Sequence, residues 1–445
     1  MPVLSVVRSQ ARDRSSRATI DAGTARGRTC LPHTCMQGCA CRERHLVHVV
    51  LCAVLAVLLF GSTLALAAPR DQAKRIHDRI AGVPPSAAVL EAMTAQVAAG
   101  DIRAAALTAM DNDAFYDVTL RNMVMPWTNE AFDVFQPLND YVATVVGVVR
   151  DGRDFRQVLS ADLLYVGAPS LGLPAYSNSN NAHYEALEAS GSPLRSALVA
   201  TTQSQVTGLS PSATAGVITS RASAKAFFIA GTNRAMLRFT LINHLCTDLE
   251  QLKDITRPPD RIRQDVTRSP GGDSRIFLNN CIGCHSGMDP LTQAFAFYDF
   301  EHDMNGDPDG ENGRLRYNDV GENDPATGNR VTRKNRINAD NFRPGYVTMD
   351  DRWDNYWRTG ANRSVGWSSA LPGSGNGARS LGQELANSTA FAQCHATHVF
   401  RATCLRDPQD DADRNAVGDA RRAFVNNGYD LKEAFIVAAD YCKGE

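Results

Sequence analysis

Positive charge is scarce in the body of this sequence. The 445 residues carry a formal net charge of -2. Residues 1–48 hold eight Arg, no Lys and three acidic residues, a surplus of five, so the remainder stands at about -7. A mildly acidic body excludes general nucleic-acid binding, which needs a clustered basic face. Nucleotide phosphate has no cradle either. Gly373 to Gly377 is a Gly-rich run, but no Lys-Ser/Thr follows it. No G-x-S-x-G elbow is present, which removes the commonest serine-hydrolase signature. Internal repeats are absent and strand signals are few.

What is there is an ordinary globular balance, 43% hydrophobic and 21% charged. That length and composition suit two or three modules with real cores. Val49 to Ala67 is a run of 19 residues without a charge, VVLCAVLAVLLFGSTLALA, preceded by Arg42 and Arg44. Ala65-Leu66-Ala67 places small residues at the -3 and -1 positions of a cleavage site. Basic, apolar and small-residue regions in that order predict a secretory signal peptide and a periplasmic or otherwise extracytoplasmic protein. The rival is an uncleaved anchor, because 19 residues can just span a bilayer. Cys30, Cys35, Cys39 and Cys41 with His33 imitate a zinc site. A site upstream of a cleaved signal would be lost with it, so residues 1–67 are set aside as lead-in and signal.

Helical patterns dominate the rest. They fall at 71–82, from Pro84-Pro85-Ser86 to about Ala98, after a capping Asp101, and at 113–125, 137–150 and 154–164. Residues 169–222 read as a loop-rich connector with one short helix. Ser223 to Leu249 reads as a single long buried helix with Ser223 as its cap. Residues 255–275 form a polar connector. Helices return at 379–405, 412–426 and 430–442. His395 and His398 read as a pair on a helix surface. Trp353, Trp357 and Trp367 read as local aromatic packing. The expected division is a helical module at 68–168, the connector at 169–222, a central module at 223–378 and a helical module at 379–445.

The chemistry is concentrated in Cys281-Ile282-Gly283-Cys284-His285. Two thiols two residues apart, at a helix start, can reach both vinyl groups of a haem, and the adjacent imidazole then faces the iron. A redox CxxC wants a thioredoxin-like strand–helix context, and a zinc site wants a second CxxC or paired His; both are missing. The motif therefore predicts one covalent haem c held by Cys281, Cys284 and His285.

The residues around it carry a family resemblance. NNCIGCHSGMDPLTQAFAFYDFE resembles the haem module of planctomycete-type cytochrome c domain proteins, where CxxCH is followed by an acidic-Pro pair and an aromatic F-D segment. Here those are Asp289-Pro290 and Phe297-Tyr298-Asp299-Phe300. RAMLRFTLINHLCTDLEQLKDITRPPDRI resembles the family's helix ending in Leu-Cys with its Pro-rich connector. SLGQELANSTAFAQCHATHVFRATCLRD and AFVNNGYDLKEAFIVAADY are similar to its C-terminal helices. FYDVTLRNMVMPWTNE and LNDYVATVVGVVRDGRDFRQVLSADLLYVG are similar to its N-terminal part. The chain departs from the family at Leu405, where a helix-ending Gly is usual, and in a connector reduced to Pro258-Pro259. The resemblance implies electron transfer and an unidentified redox partner protein, without naming a pathway.

Six cysteines follow Ala67: 246, 281, 284, 394, 404 and 442. With two in the motif, the other four allow three pairings. Cys394 and Cys404 lie ten apart on one expected helix, roughly 15 Å at helical rise, so they are not partners. Cys404 with Cys442 is the expected bridge. Nine Asp/Glu and two Arg lie between Asp299 and Asp324. The stretch reads as a solvated acidic loop, because a calcium loop begun at Asn305 would need Glu where Arg316 stands. Such a loop near a haem suits a basic redox partner.

The expected architecture is mainly α, with a cytochrome-c-like haem module between helical modules. The expected function is single-electron transfer; the alternative is a peroxidase- or oxygenase-like haem oxidoreductase with an open distal site, and a third reading is a redox-sensing binding component. The absence of a second CxxCH argues against a dihaem peroxidase. For the second iron ligand, Met349 is expected. It lies 64 residues after His285 in the loop-like Pro344-Gly345-Tyr346-Val347-Thr348-Met349. Competitors are His244, His302, His395, His398 and Met125; Met288 is too close to His285 to reach the opposite face, and Met304 lies in the acidic stretch.

Overall fold

The computed structural model describes residues 67–337 and 342–444. The expectations for the lead-in, its cysteines and the apolar run up to Leu66 lie outside the described residues.

The chain begins with three short helices whose starts follow from their sequence. α1 (Pro69–Ala81) opens on a proline, whose missing N–H costs nothing at a first turn. α2 (Ala87–Ala98) is capped by Ser86, whose Oγ accepts from the Val89 N–H. α3 (Ile102–Met110) is capped by Asp101, which accepts from the Ala104 N–H at 2.9 Å. The expected helix at 113–125 is irregular: a wide π turn at Phe115–Leu120, an α turn at Arg121–Val124 and a tight 3₁₀ turn at Met125–Thr128. Pro126 lacks the N–H that would continue the α ladder. α4 (Asp140–Arg150) is buried on every side from Asp140 to Val149, where sequence suggested one apolar face. At 154–164 a 3₁₀ turn (Phe155–Leu159) replaces the expected helix.

β1 (Leu164–Gly167) pairs antiparallel with β2 (Leu198–Thr201), Leu164 opposite Thr201. Between them lies α5 (Ala182–Ala189), the short helix expected in the connector. The single helix expected over Ser223–Leu249 is two: α6 (Arg221–Phe227), capped by Ser220 instead of Ser223, and α7 (Arg234–Leu245). Asn233 breaks the pattern. It adopts a left-handed conformation (φ 60°), and its buried Nδ2 donates to the carbonyls of Phe295 and Tyr298. Asparagine tolerates this region and here repays it with two buried hydrogen bonds.

Ser274 to Thr292 is one helical run, an α turn (Ser274–Ile276), a wide π turn (Phe277–Cys281) and α8 (Ile282–Thr292), so the CxxCH motif lies across the π-to-α junction and not at the helix start that its spacing suggested. β3 (Tyr298–Glu301) and β4 (Arg314–Tyr317) form an antiparallel hairpin inside the stretch read as an acidic loop. Glu301 on β3 pairs with Arg314 and Arg316 on β4. β5 (Arg352–Asp354) pairs with β6 (Ser374–Asn376). The chain ends in α9 (Gly377–Ala386), α10 (Thr389–Cys404), α11 (Asp411–Asn426) and α12 (Leu431–Cys442). The protein is mainly α, with three small two-stranded sheets among the described residues.

One apolar core runs from Ala73 on α1 to Ala439 on α12, so the modules expected at 68–168, 223–378 and 379–445 share it. The two ends of the described chain meet. α12 packs on α1, α3, α10 and α11; Arg103 pairs with Glu433, and Arg75 Nη1 donates to the Lys443 carbonyl at 2.7 Å. Cys404 and Cys442 are bonded as expected, with Cα atoms 5.5 Å apart. The second bridge joins Cys246, at the end of α7, to Cys394 on α10 (Cα–Cα 5.2 Å). No described helix is long and apolar enough to cross a membrane.

Leu405 ends α10 in the left-handed region (φ 57°) with its side chain 72% exposed. A Cβ costs about 1–2 kcal/mol there, and the exposed side chain contributes little in return. Leu405→Gly is therefore expected to raise the free energy of unfolding by about 1 kcal/mol, read by urea denaturation, after allowing for glycine's greater unfolded-state entropy. A decrease in stability would show that Leu405 makes contacts worth more than its strain.

Candidate functional site

The CxxCH motif sits inside a helical run, where the π turn Phe277–Cys281 passes into α8. Cys281 directly precedes α8, and Cys284 and His285 lie in its first turn. Cys281 and Cys284 are free thiols, whereas the four other described cysteines are in disulfides. Both are half-buried. A small apolar cluster of Ile262, Val266 and Phe277 lies beneath Cys281 and Ile282. Large apolar side chains flank the motif in solvent: Ile276 is 40% exposed, Leu278 53% and Ile255 65%.

His285 is held by its neighbour one helical turn on. Its Nδ1 lies 3.1 Å from Asp289 Oδ1. Asp289 is fully buried, which opposes ionisation, but the charge and hydrogen bonds of Arg234, with His285, hold its carboxyl well below the usual carboxylate range. Arg234 meets it two-pronged, Nε to Oδ1 at 2.7 Å and Nη2 to Oδ2 at 2.9 Å. The backbone N–H of Arg263 donates to Oδ2 as well. An ionised carboxylate can only accept, so the proton on this side of the ring sits on His285 Nδ1, which leaves Nε2 as the nitrogen that could bind a metal. That is the tautomer and the outer-sphere partner a metal-ligating imidazole uses. Arg234 also pairs with Asp265 through Nη1 at 2.6 Å, and burial together with Arg234 pulls the neighbouring Arg263 down to about 10.

The donor set fits a covalent haem: two free thiols at the two-residue spacing, an imidazole presenting Nε2, and apolar side chains around them. Gly287 allows close packing behind the motif. A Cβ there would lie 1.9 Å from Trp357 Nε1, in the middle of the indole. Trp353 and Trp357 are buried, and Trp367 donates to the Trp357 carbonyl, so the Trp-rich segment is local core, as expected.

Among the candidate second ligands, Met349 is 62% exposed and Met304 76% exposed. Met125 and Met288 are buried. His244 and His395 are buried too and engaged elsewhere. His244 lies ten residues beyond Arg234 on α7, roughly 15 Å along the axis from the Asp289 contact.

That far end of α7 holds a cluster the sequence did not reveal. Tyr141 Oη lies 2.7 Å from His244 Nε2, and His244 Nδ1 lies 3.2 Å from His395 Nε2. Burial pushes the Tyr141 phenol far up, so it stays a donor; the chain then runs Tyr141 to His244 to His395. His395 Nδ1 has no partner among the described residues, and its ring stands edge-on to Phe155 and Phe391. His395 is thus a core residue, not a surface one, because its side of α10 packs on α7 and the 155–159 turn. His398 lies beside Trp127 and lines a cleft of about 1060 Å³ with Trp127, Phe132, Phe239, Asn243 and Cys246. The available signal was the pairing of His with Cys at both 244/246 and 394/395.

Comparison with protein-family models, curated proteins and solved structures finds no match to this chain.

The buried histidines set a pH dependence. Burial pushes His244 down to about 3 and His395 well below its ordinary value. Below the unfolded value near 6.5, the unfolded chain takes up protons that the folded chain refuses, so stability is full above that pH and falls beneath it. Each such histidine costs up to about 1.4 kcal/mol per pH unit. His395→Gln is expected to flatten the decline in unfolding free energy between pH 6.5 and 5, with urea curves as the readout. An unchanged slope would show that His395 is protonated in the native state.

Proposed function

We propose that this chain is an exported monohaem c-type cytochrome that transfers single electrons. Cys281 and Cys284 hold the haem through thioethers, and His285 ligates its iron through Nε2. The observation that carries this reading is the pair of free thiols beside an imidazole whose tautomer is fixed by the buried, ionised Asp289. When bound, the group supplies a one-electron Fe(III)/Fe(II) couple.

The protein's own part is positioning. Asp289 accepts the Nδ1 proton and keeps the imidazole from turning. Arg234 keeps Asp289 ionised at every physiological pH. Apolar side chains beside the motif, Ile262, Val266 and Phe277 beneath it, would give the group apolar contact. Met349, exposed on its loop, is the second ligand in this reading. Two disulfides among the described residues suit the oxidising compartment to which a signal at 49–67 would direct the chain. The redox partner is a protein of complementary, basic surface, met by the acidic stretch from Asp299 to Asp324.

Replacing both Cys281 and Cys284 by Ala is expected to abolish haem stain on a denaturing gel of protein made with c-type maturation. Persisting stain in that double variant overturns the assignment. Met349→Ala is expected to remove the weak far-red band of Met–iron coordination and to lower the reduction potential. If the band and the potential are unchanged, Met349 is not the ligand. A native protein that lacks the band and binds carbon monoxide readily belongs instead with the haem oxidoreductases.

A further inference from the structure

The two disulfides differ in their surroundings. Neither sulfur of Cys404–Cys442 has an imidazole within hydrogen-bonding reach among the described residues. Cys246–Cys394 has one against both sulfurs: His398 Nε2 lies 3.6 Å from Cys246 Sγ and 3.4 Å from Cys394 Sγ. The bridge is also asymmetric. Cys246 is exposed, at the end of α7, whereas Cys394 is 1% exposed on α10. Cys246 and His398 both line the 1060 Å³ cleft, so a small reagent can approach Cys246 from solvent.

We propose that Cys246–Cys394 is a redox-gated metal site: reduced, Cys246, Cys394 and His398 bind one thiophilic d¹⁰ cation, zinc(II) or copper(I), at the cleft wall. The three donor atoms all lie within 4.8 Å of one another. Donors around zinc stand about 2.0–2.3 Å from the metal, so two of them are at most about 4.6 Å apart. The set needs almost no rearrangement beyond parting the sulfurs. Two thiolates and an imidazole are the donors such cations prefer, and three protein ligands leave a fourth position, here facing the cleft. His398 Nε2 now donates to the Asn243 carbonyl at 3.1 Å; on binding, Nε2 gives up that contact and its proton, and the ring takes the tautomer protonated at Nδ1.

Opening the site needs an external dithiol. One of its thiolates attacks the sulfur of Cys246, the partner that lines the cleft, the S–S bond breaks, and Cys394 leaves as a thiolate that takes up a proton. The second thiol of the reagent then displaces Cys246 and closes the reagent's own disulfide. Two electrons and two protons pass to the protein, and metal binding releases the two thiol protons again. The fold survives the loss of the crosslink because α7 and α10 remain packed through Phe391, His395 and His244.

The inference stands apart from the haem, and its test can be kept apart too. The full chain is prepared with Cys281→Ser and Cys284→Ser, reduced under native conditions, freed of reductant without air and titrated with zinc(II), with cobalt(II) as a spectroscopic substitute. The reduced chain is expected to bind one equivalent more zinc than the oxidised chain and to show thiolate-to-cobalt absorption. Cys246→Ser and Cys394→Ser should each lose that equivalent. His398→Gln, which keeps the bridge and the fold, should weaken zinc at least tenfold. Zinc binding by the reduced chain that matches the Cys246→Ser variant overturns the proposal. A bridge that alkylation shows to be reduced only as the chain unfolds overturns it as well.

Discussion

Asp289 is a buried carboxylate that cannot be relieved of its charge, and the centre of the molecule is arranged around that fact. Arg234 at the start of α7, the backbone of Arg263 in the connector and His285 on α8 all converge on it. Arg234 in turn spans to Asp265. A buried charge stripped of its partner costs about 3–5 kcal/mol, so this junction tolerates no half measures. It fixes three segments that are far apart in sequence, and it fixes the orientation of the one imidazole next to the free thiols. Stability and the proposed chemistry therefore rest on the same pair of charges.

The opposite end of α7 is built on different physics. There the polar groups are neutral, and burial keeps them so. Tyr141, His244 and His395 satisfy one another in a single direction within an aromatic wall. The Cys246–Cys394 bridge sits just beside them and ties α7 to α10. One helix thus joins an ionic junction at its start to a neutral, crosslinked junction at its end. The second bridge, Cys404–Cys442, closes the other end of α10 onto α12, where the first and last helices of the described chain also meet.

Local signals were legible in the sequence, and tertiary ones were not. The helix starts at Ser86 and Asp101 are read from a few adjacent residues and stand where expected, whereas the CxxCH motif, expected at a helix start, lies inside a helical run that begins at Ser274. Placing Cys394 and Cys404 on one helix excluded their bond but left two pairings, and Cys404–Cys442 was expected because both lie in the C-terminal helices, as the structure shows. The break at Asn233 could not be seen, because what favours it is a pair of carbonyls from residues 295 and 298. The β3–β4 hairpin was hidden by charge: its strands carry Glu301, Arg314 and Arg316, which cancel across the ladder. His395 looked like a surface residue because only the distant His244/Cys246 pair, matching Cys394/His395, hints that α7 covers it. In the motif, Cys281, Cys284 and His285 were evident from spacing, whereas Asp289 was noted only as half of an acidic-Pro pair. Its role depends on Arg234, 55 residues earlier.

Whether the free thiols and the oriented imidazole hold a covalent haem, as proposed, can be read from the pigment itself. The most direct measurement is an optical spectrum of the purified, exported full chain, oxidised and then reduced, before and after extraction with acidified acetone. The account predicts a sharp reduced haem spectrum and pigment that stays with the polypeptide through extraction. A colourless protein, or pigment that passes entirely into the solvent, would contradict it.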